Sequence, residues 1–576
     1  MRTKPSLLCS AALGVVWAMS FTGQANAAEH KHHHHRATRI AEGAASEAAG
    51  LASEVDELKA QVQALEAKLD AQGSAQQQTQ AQAAQAQATA QAAASQAQSA
   101  QAAADSEIKT IPVEVATAVD KAKPKTDKIY YKGVTITMGG FAAAEGVYRS
   151  HDETADIGSS YAKIPFANDR AGHTGELHGT ARQSRYTLLV QGNPTPDIQA
   201  GFYGEFDFLG AAQTANSNES NSYQPRVRVL YGQLDTSSGW HLLAGQNWSL
   251  ATMTTNGITP RSEQPPATID AQYVPGFVWA RQPQIRLTKD FSKELWLSVS
   301  AENPQTTFGN TAMATGITGT INQAPTSQYF NGTNYSLNDL PDFIGKAAFE
   351  RNMDGHLIHA EVFGIWRSYL DRLTVAPSAT NQAGLLGLTA GTNSVHTSGG
   401  GVGGGVMVSV VPHVLDLQAS ALTGKGIGRY GSAQLPDVTA AANGHLEGID
   451  ETMWLVGGTL HATKQLDVYV YGGEEYASSK VFTYGQLPGV AFGYGTLPGS
   501  NNAGCLIEGG TCSAVTKSVD QITAGVWDKI YQGSFGRVQI GLQYSYTEKK
   551  AFADVNGLAP HATENMIFTS FRYYPF

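Results

Sequence analysis

Arginines, amides and carboxylates recur at alternate positions within short apolar stretches, and that spacing marks where chemistry could reside. In PRVRVLY (225–231), Arg226 and Arg228 alternate with Val227, Val229 and Tyr231. Successive side chains of a β-strand point to opposite faces, so the two guanidiniums share one face while the apolar residues suit lipid or a protomer interface. In RQPQIRLT (281–288), Gln282, Gln284 and Arg286 share a face opposite Ile285 and Leu287, and Arg185 keeps the parity of Thr187 and Gln191. GEFDF (204–208) sets Glu205 and Asp207 against Phe206 and Phe208. A cation on the lipid face costs about 2–4 kcal/mol at the bilayer midplane, so desolvation sends these guanidiniums to a water-filled interior. Four cations on one wall, partly opposed by two carboxylates, make no bonds. They set up a transverse field that orients small anions in transit.

Bond-making chemistry has no comparable signature. The chain contains no GxSxG elbow, HExxH pair, P-loop or acidic calcium loop. GGGVGGG (399–405) satisfies GxGxxG only by being nearly all glycine, and VMVSVV after it reads as strand, leaving no helix to cap a phosphate. An outer-membrane phospholipase needs a Ser and a His on neighbouring strands, which spacing in one sequence does not decide. The expectation is a non-enzyme without a cofactor or metal.

The elements that must position these residues are strands. From Arg537 to Thr547, Val538, Ile540, Leu542, Tyr544 and Tyr546 face one way and Gln539, Gly541, Gln543, Ser545 and Thr547 the other. The same alternation recurs at Phe202–Phe208, where Phe202, Phe206 and Phe208 oppose Tyr203, Glu205 and Asp207, and at Leu295–Glu302. After the first residues no apolar run approaches the roughly 20 residues a spanning helix needs. With 61 glycines, 42% hydrophobic and 15% charged residues, the composition fits a mainly β chain: a transmembrane antiparallel barrel over residues 130–576. One strand per roughly 25 to 28 residues gives about 16 to 18 strands, enough for an aqueous channel. Phe576 and Tyr574 close the chain on one parity with Phe568, but Ile567, Phe571 and Tyr573 lie on the other, and Pro575 lacks a donor, so a bulge is expected near the end. Segments 305–340 and 376–400, rich in Asn, Thr and Gly, read as long loops that fold inward and set what passes.

Upstream, the pattern is helical. Residues 1–27 read as an export signal: basic Arg2 and Lys4, an apolar Leu7–Met19 core, and a small-residue cleavage site at Ala25–Ala27. Residues 28–50 are His-rich, then Ala-rich. The tract His32–His35 reads as a solvated tail or, less directly, as a metal-binding stretch. Leu51, Val55, Leu58, Val62, Leu65 and Leu69 recur at four- and three-residue steps, the seam of a coiled coil. Val and Leu at its core favour two strands, a porin-like body three, and a lone amphipathic helix is the alternative. The Ala/Gln-rich stretch to residue 105 reads as a stalk, and Pro112 and Pro124 place a linker at 106–129. Such a coil belongs in the periplasm, where peptidoglycan is a possible partner.

Cys505 and Cys512, in the turn-rich NNAGCLIEGGTC, read as a loop disulfide, since a metal site would need two further ligands close by. The net charge of −10 becomes −12 once Arg2 and Lys4 leave with the signal, which argues against nucleic acid as a partner.

GEFDF (204–208), PRVRVLYGQL (225–234), LLAGQNWS (242–249) and RQPQIRLT (281–288), in that order, resemble the DcaP-like family of trimeric outer-membrane porins. The heptad segment is similar to that family's periplasmic coiled coil. The resemblance covers roughly residues 40–300 and the final strand. It implies a 16-stranded barrel in outer-membrane lipid, a homotrimer, and uptake of small organic anions such as dicarboxylates.

Overall fold

The computed structural model describes residues 91–92, 95–96, 98–99, 128–210, 224–323 and 335–576. The expected signal segment and heptad positions lie outside the described residues. Alternation of apolar and polar residues leaves one solution for a long strand-rich chain in lipid, a sheet without edges. The chain adopts it: sixteen antiparallel strands pair in sequence, and the last pairs with the first. They are β1 (Val134–Arg149), β2 (Arg185–Thr195, extended by Glu176–Thr180 along the same edge of β1), β3 (Ile198–Asp207), β4 (Arg226–Thr236), β5 (Trp240–Trp248), β6 (Arg281–Phe291), β7 (Leu295–Glu302) and β8 (Asp342–Met353). Then follow β9 (His356–Val375), β10 (Gly391–Val411), β11 (Leu415–Lys425), β12 (Asp450–His461), β13 (Leu466–Ala477), β14 (Thr516–Gly533), β15 (Gly536–Ala551) and β16 (His561–Tyr574).

One rim carries turns of two to four residues and the other carries the long connections. The long ones are numbered here loop 1 (150–175) through loop 8 (552–560), with loop 3 at 249–280 and loop 6 at 426–449. Around the circumference the outward positions are apolar and exposed, among them Phe202, Ile285, Val362, Val402, Val470 and Leu542. On β15, Ile540, Leu542, Tyr544 and Tyr546 are exposed while Gln539, Gln543, Ser545 and Thr547 are buried, an apolar outside and a polar inside.

The interior is not simply water-lined, and this corrects three expectations. Loop 3 crosses the barrel, and its backbone N–H groups are met by inward carboxylates and amides. Leu250 donates to Glu302 at 2.8 Å, Gly276 to Glu475 at 2.9 Å and Ile269 to Gln543 at 2.6 Å. Loop 6 lies against it, with Trp279 N donating to Tyr430 O at 3.0 Å and Ser432 Oγ to Val274 O at 2.6 Å. Loops 3 and 6 are thus inward, and the described part of the expected 305–340 segment joins loop 6, with Gly309 N donating to Val438 O at 2.8 Å and Ala314 N to Ala442 O at 3.1 Å. Of the segments expected to fold inward, 391–400 is instead part of β10.

Because these loops supply apolar surface inside, inward aromatics have something to pack on. Val229 and Tyr231, expected to face outward to lipid or a protomer interface, are buried inside with Trp248 and Phe277. Their parity is reset where Val227 and Val229 pair with Phe206 and Glu205, leaving Arg228 as the extra residue of a β-bulge. Conversely, β16 carries no bulge. Its ladder with β15 runs unbroken from Lys550↔His561 to Arg537↔Tyr574. Phe568 simply points inward, where it is fully buried beneath the Arg149 guanidinium.

Candidate functional site

The bulge at Arg228 brings the charged residues of three strands together. Arg226 holds Asp207 through two parallel bonds, Nε to Oδ1 at 2.9 Å and Nη2 to Oδ2 at 2.7 Å. Arg228 reaches Glu205 Oε1 at 2.5 Å and Asp207 Oδ2 at 3.1 Å, and Arg185 stands 3.5 Å from Glu205 Oε1. Five of the residues singled out in the sequence therefore form one cluster on β2, β3 and β4. Each carboxylate serves two guanidiniums.

The other three lie beside the root of loop 3. Arg286 donates to Trp248 O at 2.7 Å and to Gln284 Oε1 at 3.0 Å, and Gln284 Nε2 donates to Trp248 O at 2.9 Å. Gln282 bridges Glu302 Oε2 and Arg429 of loop 6, each at 2.6 Å. Arg286 thus holds backbone rather than facing a free lumen.

Period-two reading missed the residues that complete the cluster. Arg281, at the first position of β6, stacks 4.8 Å from the Trp248 ring centroid and makes no ion pair among the described residues. Its Nη1, like Arg185 Nε, is buried without a hydrogen-bond partner. On the strands, Arg185, Arg226, Arg228 and Arg281 are therefore four guanidiniums facing two carboxylates, and loop 3 adds one charge of each sign, Arg261 and Glu263, to the same space, which leaves the local surplus of positive charge unchanged.

From loop 3, Tyr273 enters the same space with its hydroxyl 3.5 Å from Arg228 Nη2. Burial pushes the Tyr273 phenol up, but the guanidiniums of Arg228, Arg185 and Arg281 outweigh it and hold the group below its ordinary value. Glu263, also on loop 3, is raised by burial and accepts from Asn247 Nδ2 at 3.4 Å. Between loop 3 and the wall lies a cavity of about 190 Å³ bordered by Arg185, Tyr203, Glu205, Arg228, Trp248 and Tyr273.

On the opposite wall, Arg367 of β9 is buried between Asp342 of β8 and Asp437 of loop 6, at 3.1 and 2.7 Å. Near the short-turn rim, His241 sits between Asp235 and Asp290, and His461 between Asp467 and Asp416. Among the described residues no group of three or more His, Cys, Asp or Glu side chains is arranged to hold a metal ion. Cys505 and Cys512 are joined by a disulfide in loop 7 (478–515).

No family model and no curated relative matches the chain. Similar solved structures include the outer membrane channel DcaP of Acinetobacter baumannii, at 17% identity over 77% of this chain and 99% of that one, with a TM-score of 0.49. That channel carries the name of the family resembled by residues 204–288. Others are Pseudomonas putida OprB, 7% identical over 76% of this chain and 94% of that one with a TM-score of 0.39, and Salmonella typhi OmpF, 9% identical over 78% and 99% with a TM-score of 0.39.

Proposed function

We propose that this chain is an outer-membrane porin through which small hydrophilic solutes diffuse passively, with preference for small organic anions such as dicarboxylates. The observation that carries the reading is the local surplus of guanidiniums on the β2–β6 wall, four against the two carboxylates of the same strands, inside a closed barrel whose outer face is apolar and whose other walls bury more carboxylates than cations. A barrel of about 16 strands is wide enough for an aqueous path, and fixed charge on one wall sets the sign of what is concentrated there. The short-turn rim then faces the periplasm, as is usual for such barrels. In this reading the protein is a homotrimer with its coiled coil in the periplasm, supported by the resemblance of residues 40–300. Passage needs neither a reaction step nor a cofactor.

A second reading has its own support. Arg226 and Arg228 are held by Asp207 and Glu205, and fully compensated pairs would leave a general diffusion pore without sign preference. Reversal potentials across planar bilayers under a KCl gradient separate the two. Anion preference favours the first reading; none favours the second.

A further inference from the structure

We propose that the cavity between loop 3 and the β2–β6 wall is a binding site for one small aromatic monocarboxylate, held by its ring against Trp248 and Tyr203 and by its carboxylate among Arg185, Arg228 and the Tyr273 hydroxyl. This rests on the reading of the chain as an anion-favouring porin and concerns what this one cavity retains, as distinct from the small dicarboxylates that pass through the pore.

Size comes first. At about 190 Å³ the cavity falls below the roughly 300 Å³ from which pockets for drug-sized ligands start, so it takes a single ring rather than a larger solute. Its chemistry is divided. Tyr203, Trp248 and Tyr273 present aromatic surface together with Val229 and Pro265, while Arg185, Glu205, Arg228 and the Tyr273 hydroxyl form a connected polar set.

The polar set is incomplete as it stands. Arg185, which borders this space, keeps its Nε buried and without an acceptor, and Arg281 Nη1 is likewise unmet beside Trp248. Buried donors are normally paired, and a carboxylate arriving at Arg185 would supply the missing acceptor. Stacking of Arg281 on Trp248 at 4.8 Å adds positive charge at the indole. Tyr273 is held at φ 69°, a left-handed backbone that a tyrosine rarely adopts. That conformation sets its ring 6.1 Å from Trp248 and 5.0 Å from Phe277.

The remaining lining charges decide between one carboxylate and two: Glu205 is paired with Arg185 and Arg228, and Arg261 is taken up by the Tyr231 hydroxyl, Gln233 Oε1 and the Tyr203 ring. Glu263 also borders the cavity and among the described residues pairs with none of these guanidiniums. A second carboxylate on the ligand would meet it, whereas a plain ring edge would not.

The test uses the full chain in planar bilayers, with benzoate, acetate, benzyl alcohol and succinate added separately and the KCl reversal potential recorded on the same channels. Benzoate should interrupt current at a concentration about tenfold lower than acetate or benzyl alcohol, the scale of one aromatic or charge-assisted contact. Succinate should be weaker than benzoate. Trp248→Leu, and separately Tyr203→Leu, should raise the half-blocking concentration of benzoate about tenfold while acetate changes little, and Glu263→Gln should narrow the gap between succinate and benzoate. Equal potency of benzoate and acetate on anion-selective channels overturns the site and leaves the porin reading intact. Cation-selective wild-type channels overturn the anion-favouring reading on which the site rests, and an absence of channels overturns the porin reading itself.

Discussion

Arg367 of β9 donates to Asp437 of loop 6 across 2.7 Å with both side chains buried, and the same guanidinium reaches Asp342 of β8 at 3.1 Å. This pair ties the second inward loop to the wall. Arg367→Met leaves Asp437 without a guanidinium and Asp342 with only that of Arg429, 3.8 Å away, a loss of about 3–5 kcal/mol for such a break. Loop 6 should then leave its seat, seen as trypsin cleavage at Arg429 and larger single-channel conductance. Adding Asp342→Asn and Asp437→Asn to Arg367→Met should restore protection, because apolar or neutral replacement of a whole buried network is tolerated. Wild-type conductance and protection in the single variant would show that loop 6 is held elsewhere.

Loop 1 should respond to pH. Burial lifts the Glu153 carboxyl from 4.5 to about 7, against the pull of Arg149, whose Nε lies 3.7 Å away. The docked loop keeps a proton that the undocked loop has already lost, so docking is strongest below pH 4.5, weakens as pH rises to about 7, and is level above that. The change across that window is about 3 kcal/mol. Asp270 of loop 3, which accepts from Ser159 Oγ at 2.6 Å, is raised by burial too and adds a slope of the same sign. Hydrogen exchange of residues 150–175, corrected for intrinsic rates, should show less protection at pH 8 than at pH 5. Glu153→Gln, which keeps an acceptor for Ser160 N, should flatten most of the difference.

The disulfide should matter to loops and not to the barrel. Cys505 is fully buried beside Ile164 and Phe166 of loop 1, and Gly509 N donates to Asn168 O at 2.8 Å. Closing so short a ring contributes about 2.5 kcal/mol to local order. Cys505→Ser should insert and run as wild type on mild-detergent gels, while loop 7 becomes the first site of proteolysis. Labelling of both thiols in unfolded, unreduced wild-type protein would contradict the bond.

What the sequence made legible follows from period. The alternation of RQPQIRLT corresponds to the buried Gln282, Gln284 and Arg286 and the exposed Ile285 and Leu287 of β6, because nothing interrupts that ladder. One strand pair away, a single extra residue at Arg228 reverses the parity of Val229 and Tyr231, and no local pattern announces a bulge. Loops 3 and 6 were unreadable for a different reason. Their inward course depends on acceptors such as Glu302, Glu475 and Gln543, which lie on other strands and as far as 274 residues away in sequence. Arg281 escaped notice because strand parity groups it with Pro283 and Ile285, whereas at the strand end its stacking on Trp248 governs where it lies. The coiled-coil positions from Leu51 to Leu69 keep their sequence reading only. Deleting residues 37–105 should leave a heat-sensitive trimer in mild detergent, and a shift to monomers would make the coil the main trimer contact.

The guanidinium surplus makes a sign-specific prediction about ions. Exchanging Arg226 and Arg228 for glutamate removes two positive charges, adds two negative ones, and leaves Glu205 and Asp207 without their closest partners. Four carboxylates would then face Arg185 and Arg281. A field that concentrates anions should become one that repels them, and mild anion preference in reversal potentials should be lost or inverted. Because Arg228 is buried in the cluster while Arg226 is partly exposed, the single Arg226→Glu should insert more readily and shift the potential in the same direction by less. Charge elsewhere gives a control. Arg351 is exposed on β8 near the short-turn rim. Charges separated by more than a Debye length of about 10 Å at 0.1 M salt are largely screened, so Arg351→Glu should leave selectivity as it was. Millimolar dicarboxylate should reduce current through wild type and much less through the double variant. Unchanged selectivity in Arg226→Glu with Arg228→Glu would take this wall out of the ion path, and equal shifts from Arg351→Glu would show that net charge rather than position sets the preference.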